Sequence, residues 1–195
     1  MPDSLFHSLF VALFAALLVL RIYYHRQGQT WKRFSNHREG WFIIGLRLFV
    51  GLPMMIAAVV YMVRPSLMPW AVVPMPDKWR WIGFGMGLVG LALGTWVHRT
   101  LGKNFSSELR IRPDHELVVA GPYRWVRHPM YTSFVVLMTG LFLLSGNWLI
   151  CGTGLAVLFF VMLFRTPREE KMMEGRFGEQ YRAYMATTGR YLPRL

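Results

Sequence analysis

Five apolar segments dominate this chain and leave it few folds to choose from. The first spans about 5–24, the second 41–63 with Arg47 and Pro53 inside it, and the third 81–97. The fourth and fifth, 131–144 and 148–164, are separated only by Ser145, Gly146 and Asn147, a turn signal. In lipid, runs of this kind satisfy their backbone as helices. The expectation is an all-α integral membrane protein with about five transmembrane helices, the last two forming a tight helical hairpin. The fourth segment has 14 residues, which at ~1.5 Å rise reach roughly 21 Å of a ~30 Å hydrocarbon core. A four-span arrangement with a re-entrant 131–164 hairpin therefore stays open beside the five-span one.

Charge orients the chain. Lys and Arg number 22 against 10 Asp and Glu, a formal +12 on a chain that is 54% hydrophobic. Such an excess suits nucleic acid or an anionic membrane surface, and its position decides between them. Residues 25–40, 98–130 and 165–195 hold 4, 6 and 7 of the cations, 17 of the 22, while Arg64, Lys78 and Arg80 are the three on the other side. This bias predicts an N-terminus outside, a cytoplasmic C-terminus and a working cytoplasmic face. Trp41, Trp79, Trp81 and Trp148 stand at segment ends and fit an interfacial belt better than a nucleic-acid stacking platform. The first segment lacks the basic start and small-residue cleavage site of a signal peptide, so it reads as a retained anchor.

Two cytoplasmic regions are long. The 98–130 connection has 33 residues and the final region 31, far beyond the usual ~2–8 between bundle helices. In the tail, Met173, Phe177, Tyr181 and Tyr184 recur at spacings that put them on one face of an amphipathic helix. With no internal repeat and no low-complexity linker, 1–195 reads as one domain. Within it, 1–97 holds three N-terminal transmembrane helices and 98–195 a half that caps the cytoplasmic face.

Several signals have plain explanations. Gly85, Gly87 and Gly90 match G-x-G-x-x-G, but in mid-helix and without a βαβ unit. Gly83/Gly87 and Gly90/Gly94 instead read as small-xxx-small pairs for close helix packing. Arg47 reads as a snorkelling or paired cation near its helix end. His7 reads as structural, and the lone Cys151 as an inert packing residue. His98, His115 and His128 are spaced by 17 and 13, which matches no compact metal pattern, so no metal site is expected.

What remains is a polar constellation at the inner face. Lys103, Asn104, His115, Arg124, Arg127 and His128 come from the connection, and Arg165, Arg168, Glu169 and Glu170 open the tail. By residue type alone this is equally a solvated basic collar. Pro167 followed by Glu169 and Glu170 reads as the start of a helix.

The blocks HELVVAGPYRWVRHPMY (115–131) and REEKMMEGRFGEQYRAYM (168–185), in this order around a short apolar pair, resemble the isoprenylcysteine carboxyl methyltransferase family. Membrane enzymes that methylate phospholipid amines carry a similar C-terminal half. The resemblance covers about 100–195; upstream only the apolar pattern agrees. It implies methyl transfer from S-adenosylmethionine, with S-adenosylhomocysteine as product, in a cofactor site between the connection and the tail helix. By position, His115, Leu117, Val118 and Gly121 would line the adenosine, with Pro122 and Tyr123 shaping the turn. His128 and Tyr131 would face the methionine part, and Glu170 its ammonium. Lys103 and Pro129 complete the cofactor set. Arg165 would meet the acceptor carboxylate, with Glu169 beside it as the second catalytic candidate. The longer acidic run of the family's eukaryotic members is replaced here by Pro167 and Arg168.

Physical chemistry fits that assignment. A carboxylate acceptor is ionised near neutral pH and needs no general base, so positioning and desolvation carry the transfer. A lipid-modified acceptor and membrane lipid are the expected partners, without nucleic acid. The alternatives are a phospholipid amine N-methyltransferase, which needs a base such as His128, and reduction of a sterol-like alkene. Outside enzymes, the chain reads as a membrane scaffold or small transporter, supported by Arg47 alone.

Overall fold

The structure is a computed structural model that describes residues 4–29, 41–104 and 116–194, with side chains other than those of 27–29, 41–44, 46, 47, 50 and 103. The side chain of Arg47 therefore lies outside the described residues. Six α-helices run through the described residues. They are α1 (Ser4–Gln29), α2 (Trp41–Val63), α3 (Asp77–Leu101), α4 (Pro129–Ser145), α5 (Trp148–Phe177) and α6 (Glu179–Thr187). By length and composition α1, α3 and α5 are apolar enough to cross a membrane. Gly51–Val63 and α4 are shorter apolar helices.

The bundle is held by its small residues. α3 packs most closely on α4, and glycine is the reason. A Cβ on Gly140 would sit 2.5 Å from the Gly87 nitrogen, and one on Gly90 would sit 2.7 Å from the Leu137 nitrogen. Gly83, Gly87, Gly90 and Gly94 are all buried, and the first three are pressed against neighbouring helices inside the protomer as small-xxx-small interfaces are. Phe10 and Phe14 of α1, Ala58 and Tyr61 of α2, and Met138 and Leu141 of α4 fill the core. Large apolar side chains also point outward, among them Phe49, Leu52 and Ile56 on α2 and Phe159 and Leu163 on α5. That is the surface a lipid-facing bundle presents.

Only two residues separate α4 from α5. Gly146 ends α4 in the left-handed region (φ 69°) and donates its N–H to the Phe142 carbonyl. Asn147 then caps α5, its Oδ1 accepting from the Ile150 N–H at 3.1 Å. At the same end Arg80 is buried. It donates to the Leu144 carbonyl at 3.2 Å, and its guanidinium lies 4.0 Å from the Phe6 ring centroid.

Two expectations about the tail need correction. Pro167 does not start a helix: it lies inside α5, which runs unbroken from Trp148 to Phe177. A proline is tolerated inside a membrane-type helix when the carbonyl it strands finds another partner. The amphipathic tail is also not one helix. Gly178 (φ 53°) breaks the chain between α5 and α6, so Met173 and Tyr181 sit on different helices.

Candidate active site

Continuity through Pro167 sets up a stripe. Leu158, Val161, Arg165, Glu169 and Met172 recur every three or four residues along α5, hence on one face. All five line a single cavity of about 470 Å³. Its apolar part is walled by Leu17 and Leu20 of α1, Leu91 of α3, and Phe134 and Leu137 of α4. Its polar part gathers Arg165 and Glu169 with His128, Tyr131, Asn104 and Glu116. Arg165 Nε lies 3.4 Å from Glu169 Oε2, one turn along the helix. A volume of this size is typical of small-molecule sites.

The 121–131 segment shapes the polar end. Gly121 has φ 57°, and a Cβ there would sit 2.8 Å from Thr100 Oγ1, so the turn 121–124 lies hard against the end of α3. Pro122 and Tyr123 are buried beneath it. Arg124 and Trp125 point away: the guanidinium stands 4.3 Å from the exposed Trp125 ring, as an interfacial anchor would. Residue 116 is tied to the turn that follows α3: the Glu116 N–H donates to Asn104 Oδ1 at 3.2 Å. The His128 and Tyr131 rings stack at 5.7 Å on the cavity wall.

Behind that wall lies an ionic knot. Glu170 Oε1 accepts from Arg127 Nε at 3.1 Å and from Arg190 Nε at 3.2 Å, and His128 Nε2 lies 3.4 Å away. Arg190 reaches the second oxygen of Glu170 as well. Arg127 also donates to the carbonyls of Met185 and Thr188. Backbone bonds complete the closure: the N–H of Arg127 donates to the Gly189 carbonyl at 2.8 Å, and that of His128 to the Arg190 carbonyl at 3.0 Å. Thr132 Oγ1 donates to the Tyr191 carbonyl at 2.9 Å.

Tyrosines seal the polar end. Tyr184 donates its hydroxyl to the Tyr123 carbonyl at 2.6 Å. Burial pushes the Tyr184 phenol up to about 12 and also raises Tyr123 and Tyr181 above the usual phenol range. These hydroxyls stay protonated donors at physiological pH.

The structure brings Leu117, Val118, Tyr123, His128, Tyr131, Arg165 and Glu169 to the cavity wall. Gly121, Pro122 and Pro129 stand behind it in the turn and at the start of α4. Glu170, expected to meet a ligand ammonium, is not on the wall; its carboxylate is engaged by Arg127, Arg190 and His128. His115 and the side chain of Lys103 lie outside the described residues. Sequence reasoning missed Arg21, His98, Tyr181 and Tyr184 as cavity residues and Arg190 as the partner of Glu170. A helical period carried through Pro167 would have found the α5 stripe, and the Met173–Tyr181–Tyr184 periodicity marks the tail tyrosines as one face; no local pattern marks Arg21, His98 or Arg190. Among the described residues no group of three His, Cys, Asp or Glu could hold a metal ion.

Comparison with known proteins agrees with this architecture. The family model of the isoprenylcysteine carboxyl methyltransferase (ICMT) family matches residues 81–175. The chain is similar to a probable protein-S-isoprenylcysteine O-methyltransferase of Oryza sativa subsp. indica, 30% identical over 122 residues, or 60% of this chain and 64% of that protein. It is also similar to a protein-S-isoprenylcysteine O-methyltransferase of Schizosaccharomyces pombe, 35% identical over 100 residues, or 48% of this chain and 42% of that one. It thus spans less than two thirds of the length of these curated relatives. A solved structure of a eukaryotic intramembrane Ras methyltransferase shares the fold, with a TM-score of 0.54 and 22% identity over 95% of this chain and 67% of that one.

Proposed function

We propose that this chain, whose residues 81–175 the isoprenylcysteine carboxyl methyltransferase family model matches, is a member of that family and transfers a methyl group from S-adenosylmethionine to the carboxylate of an isoprenylated cysteine or similar lipidic acceptor. The observation that carries this reading is one cavity with two characters, polar around Arg165 and Glu169 and apolar around Leu17, Leu91 and Leu137. A site for a polar zwitterion alone has no use for the apolar end. A site for lipid alone has no use for the Arg165–Glu169 ion pair, whose Arg165 side chain is only 13% exposed and costly to desolvate.

The wall suits the cofactor. Glu169 offers an anion for an ammonium group, while Leu117, Val118 and Tyr123 offer apolar and aromatic surface for adenosine. When bound, S-adenosylmethionine supplies a methyl group activated on a sulfonium sulfur. Arg165 orients the acceptor carboxylate with paired donors. The acceptor arrives ionised, so the residues around it hold and desolvate it and abstract no proton. Tyr181 and Tyr184 shield the site from bulk water, and the α1–α3–α4 wall receives the acceptor's chain.

The same reading sets the membrane arrangement: five spans, N-terminus outside, and the polar end of the cavity at the cytoplasmic face. The concentration of 17 of the 22 cations in the regions 25–40, 98–130 and 165–195 supports it.

Two measurements test the proposal. Equilibrium binding of S-adenosylmethionine to the purified protein should be detectable below millimolar concentration; its absence removes the methyltransferase reading and favours a scaffold or transporter. Incubation with methyl-labelled cofactor and two acceptor panels, prenylcysteines and phospholipid amines, should label the prenylcysteines. Label on the amines would overturn the carboxylate acceptor.

A further inference from the structure

Four glycines line the inward side of α3, and one of them is not explained by helix packing. A Cβ on Gly83 would sit 2.5 Å from the Leu144 nitrogen, on Gly87 2.6 Å from Leu13 Cδ1, and on Gly90 2.7 Å from Leu137 Cβ. These three have helices pressed against them. At Gly94 the nearest atoms are Leu20 Cδ2 and Ser133 Oγ, both at 3.7 Å, an ordinary contact. Alanine fits there without displacing a neighbour, and glycine weakens a helix interior relative to alanine. Packing therefore gives no reason for glycine at 94.

The cavity gives one. Gly94, Leu20 and Ser133 all line it. One turn toward the polar end stands His98, whose Nδ1 lies 2.7 Å from the Gly94 carbonyl oxygen. In the other direction the wall is apolar, through Leu91 and Leu137. Position 94 thus sits where the polar and apolar ends join, and any side chain there projects between Leu20 and Ser133 into the passage.

We propose that Gly94 is a specificity-determining position: its missing side chain keeps this passage wide enough for a methyl-branched isoprenoid chain to thread from the polar end into the apolar end. The proposal rests on the lipidic acceptor of the proposed function. It adds that the width at 94, more than the volume of the apolar end, selects the acceptor chain.

The test uses full-length Gly94→Ala and Gly94→Leu with N-acetylcysteine thioethers of geranyl, farnesyl and geranylgeranyl chains. Each thioether is measured as a methyl acceptor and, separately, as a competitor of a bound fluorescent alkyl probe, which needs no turnover. Gly94→Ala should change the preference between the longest and shortest chain by about tenfold or more, the effect one methyl group has in an apolar site. Gly94→Leu should extend that loss, while S-adenosylmethionine affinity stays at the wild-type value. Adding Leu20→Ala to Gly94→Ala should restore the long-chain preference by reopening the passage from the α1 side. Equal losses for all three chains, an unchanged ladder, or failure of the double variant to recover would overturn the proposal. Failure of the wild-type protein to methylate any thioether would count against the proposed reaction, and the competition ladder would still decide the role of Gly94.

Discussion

The Arg190 guanidinium closes on both oxygens of the Glu170 carboxylate, joining the last stretch of the chain to the interior of α5. The Glu170 side chain is only 8% exposed, while that of Arg190 is 47% exposed. The charge that has to be compensated is therefore the carboxylate, and Arg127 shares the task from the turn before α4. Because His128 contacts the same oxygen and stacks on Tyr131, this knot also fixes two residues of the cavity wall.

Glu170→Gln should loosen the tail more than it empties the site. The ion pairs with Arg127 and Arg190 become hydrogen bonds from a cation to an uncharged amide, a loss of about 1.5–3 kcal/mol. The expected readouts are a lower Tm in detergent and faster limited proteolysis after Thr187. Wild-type Tm together with wild-type proteolysis would show that the knot does not hold the tail.

Arg165→Ala should lower turnover roughly ten- to hundredfold, the kinetic equivalent of one lost charge-assisted contact, with cofactor affinity nearly unchanged. Full activity in the variant would remove Arg165 from the mechanism.

Glu169→Gln separates the two adjacent glutamates. Glu169 lines the cavity, so this variant should weaken S-adenosylmethionine binding by about tenfold or more while leaving the Tm close to wild type. The opposite pattern, lower Tm with unchanged affinity, would exchange the roles of Glu169 and Glu170.

Gly140→Ala should destabilise the bundle by about 1–3 kcal/mol, because its Cβ must push the Gly87 backbone away. Gly152→Ala is the control: nothing lies within 4 Å of its Cβ, so thermal unfolding should be unchanged or slightly improved. Equal effects of the two substitutions would show that α3 and α4 do not meet through their glycines.

Tyr184→Phe should cost a constant amount of stability across neutral pH. Burial raises this phenol from 10.0 to about 12, so below pH 10 it is protonated both folded and unfolded and contributes no pH dependence. Above that, the unfolded chain loses its proton first and the wild-type protein loses stability through this group. The gap between wild type and Tyr184→Phe should therefore narrow from pH ~10 upward, measured by denaturant titration against pH.

How far the sequence can be read depends on whether a property is local. Apolar runs between cationic regions determine a helical membrane protein, because lipid leaves the backbone few other ways to satisfy its hydrogen bonds. Small-xxx-small spacing marks the packing face of α3, and the 115–131 and 168–185 blocks mark where the cavity is built. Phase is not local in this sense. Glu169 and Glu170 are neighbours in sequence but stand ~100° apart on a helix. Which of them meets the cavity follows only once α5 is known to run unbroken through Pro167. Arg190, Tyr181 and Tyr184 reach the site through the break at Gly178, and Gly94 differs from Gly90 only in what stands opposite it. The sequence determined the kind of protein and the stretches that carry its chemistry. Tertiary structure decided which residue of each stretch faces the cavity, because facing is a relation between helices and no single helix contains it.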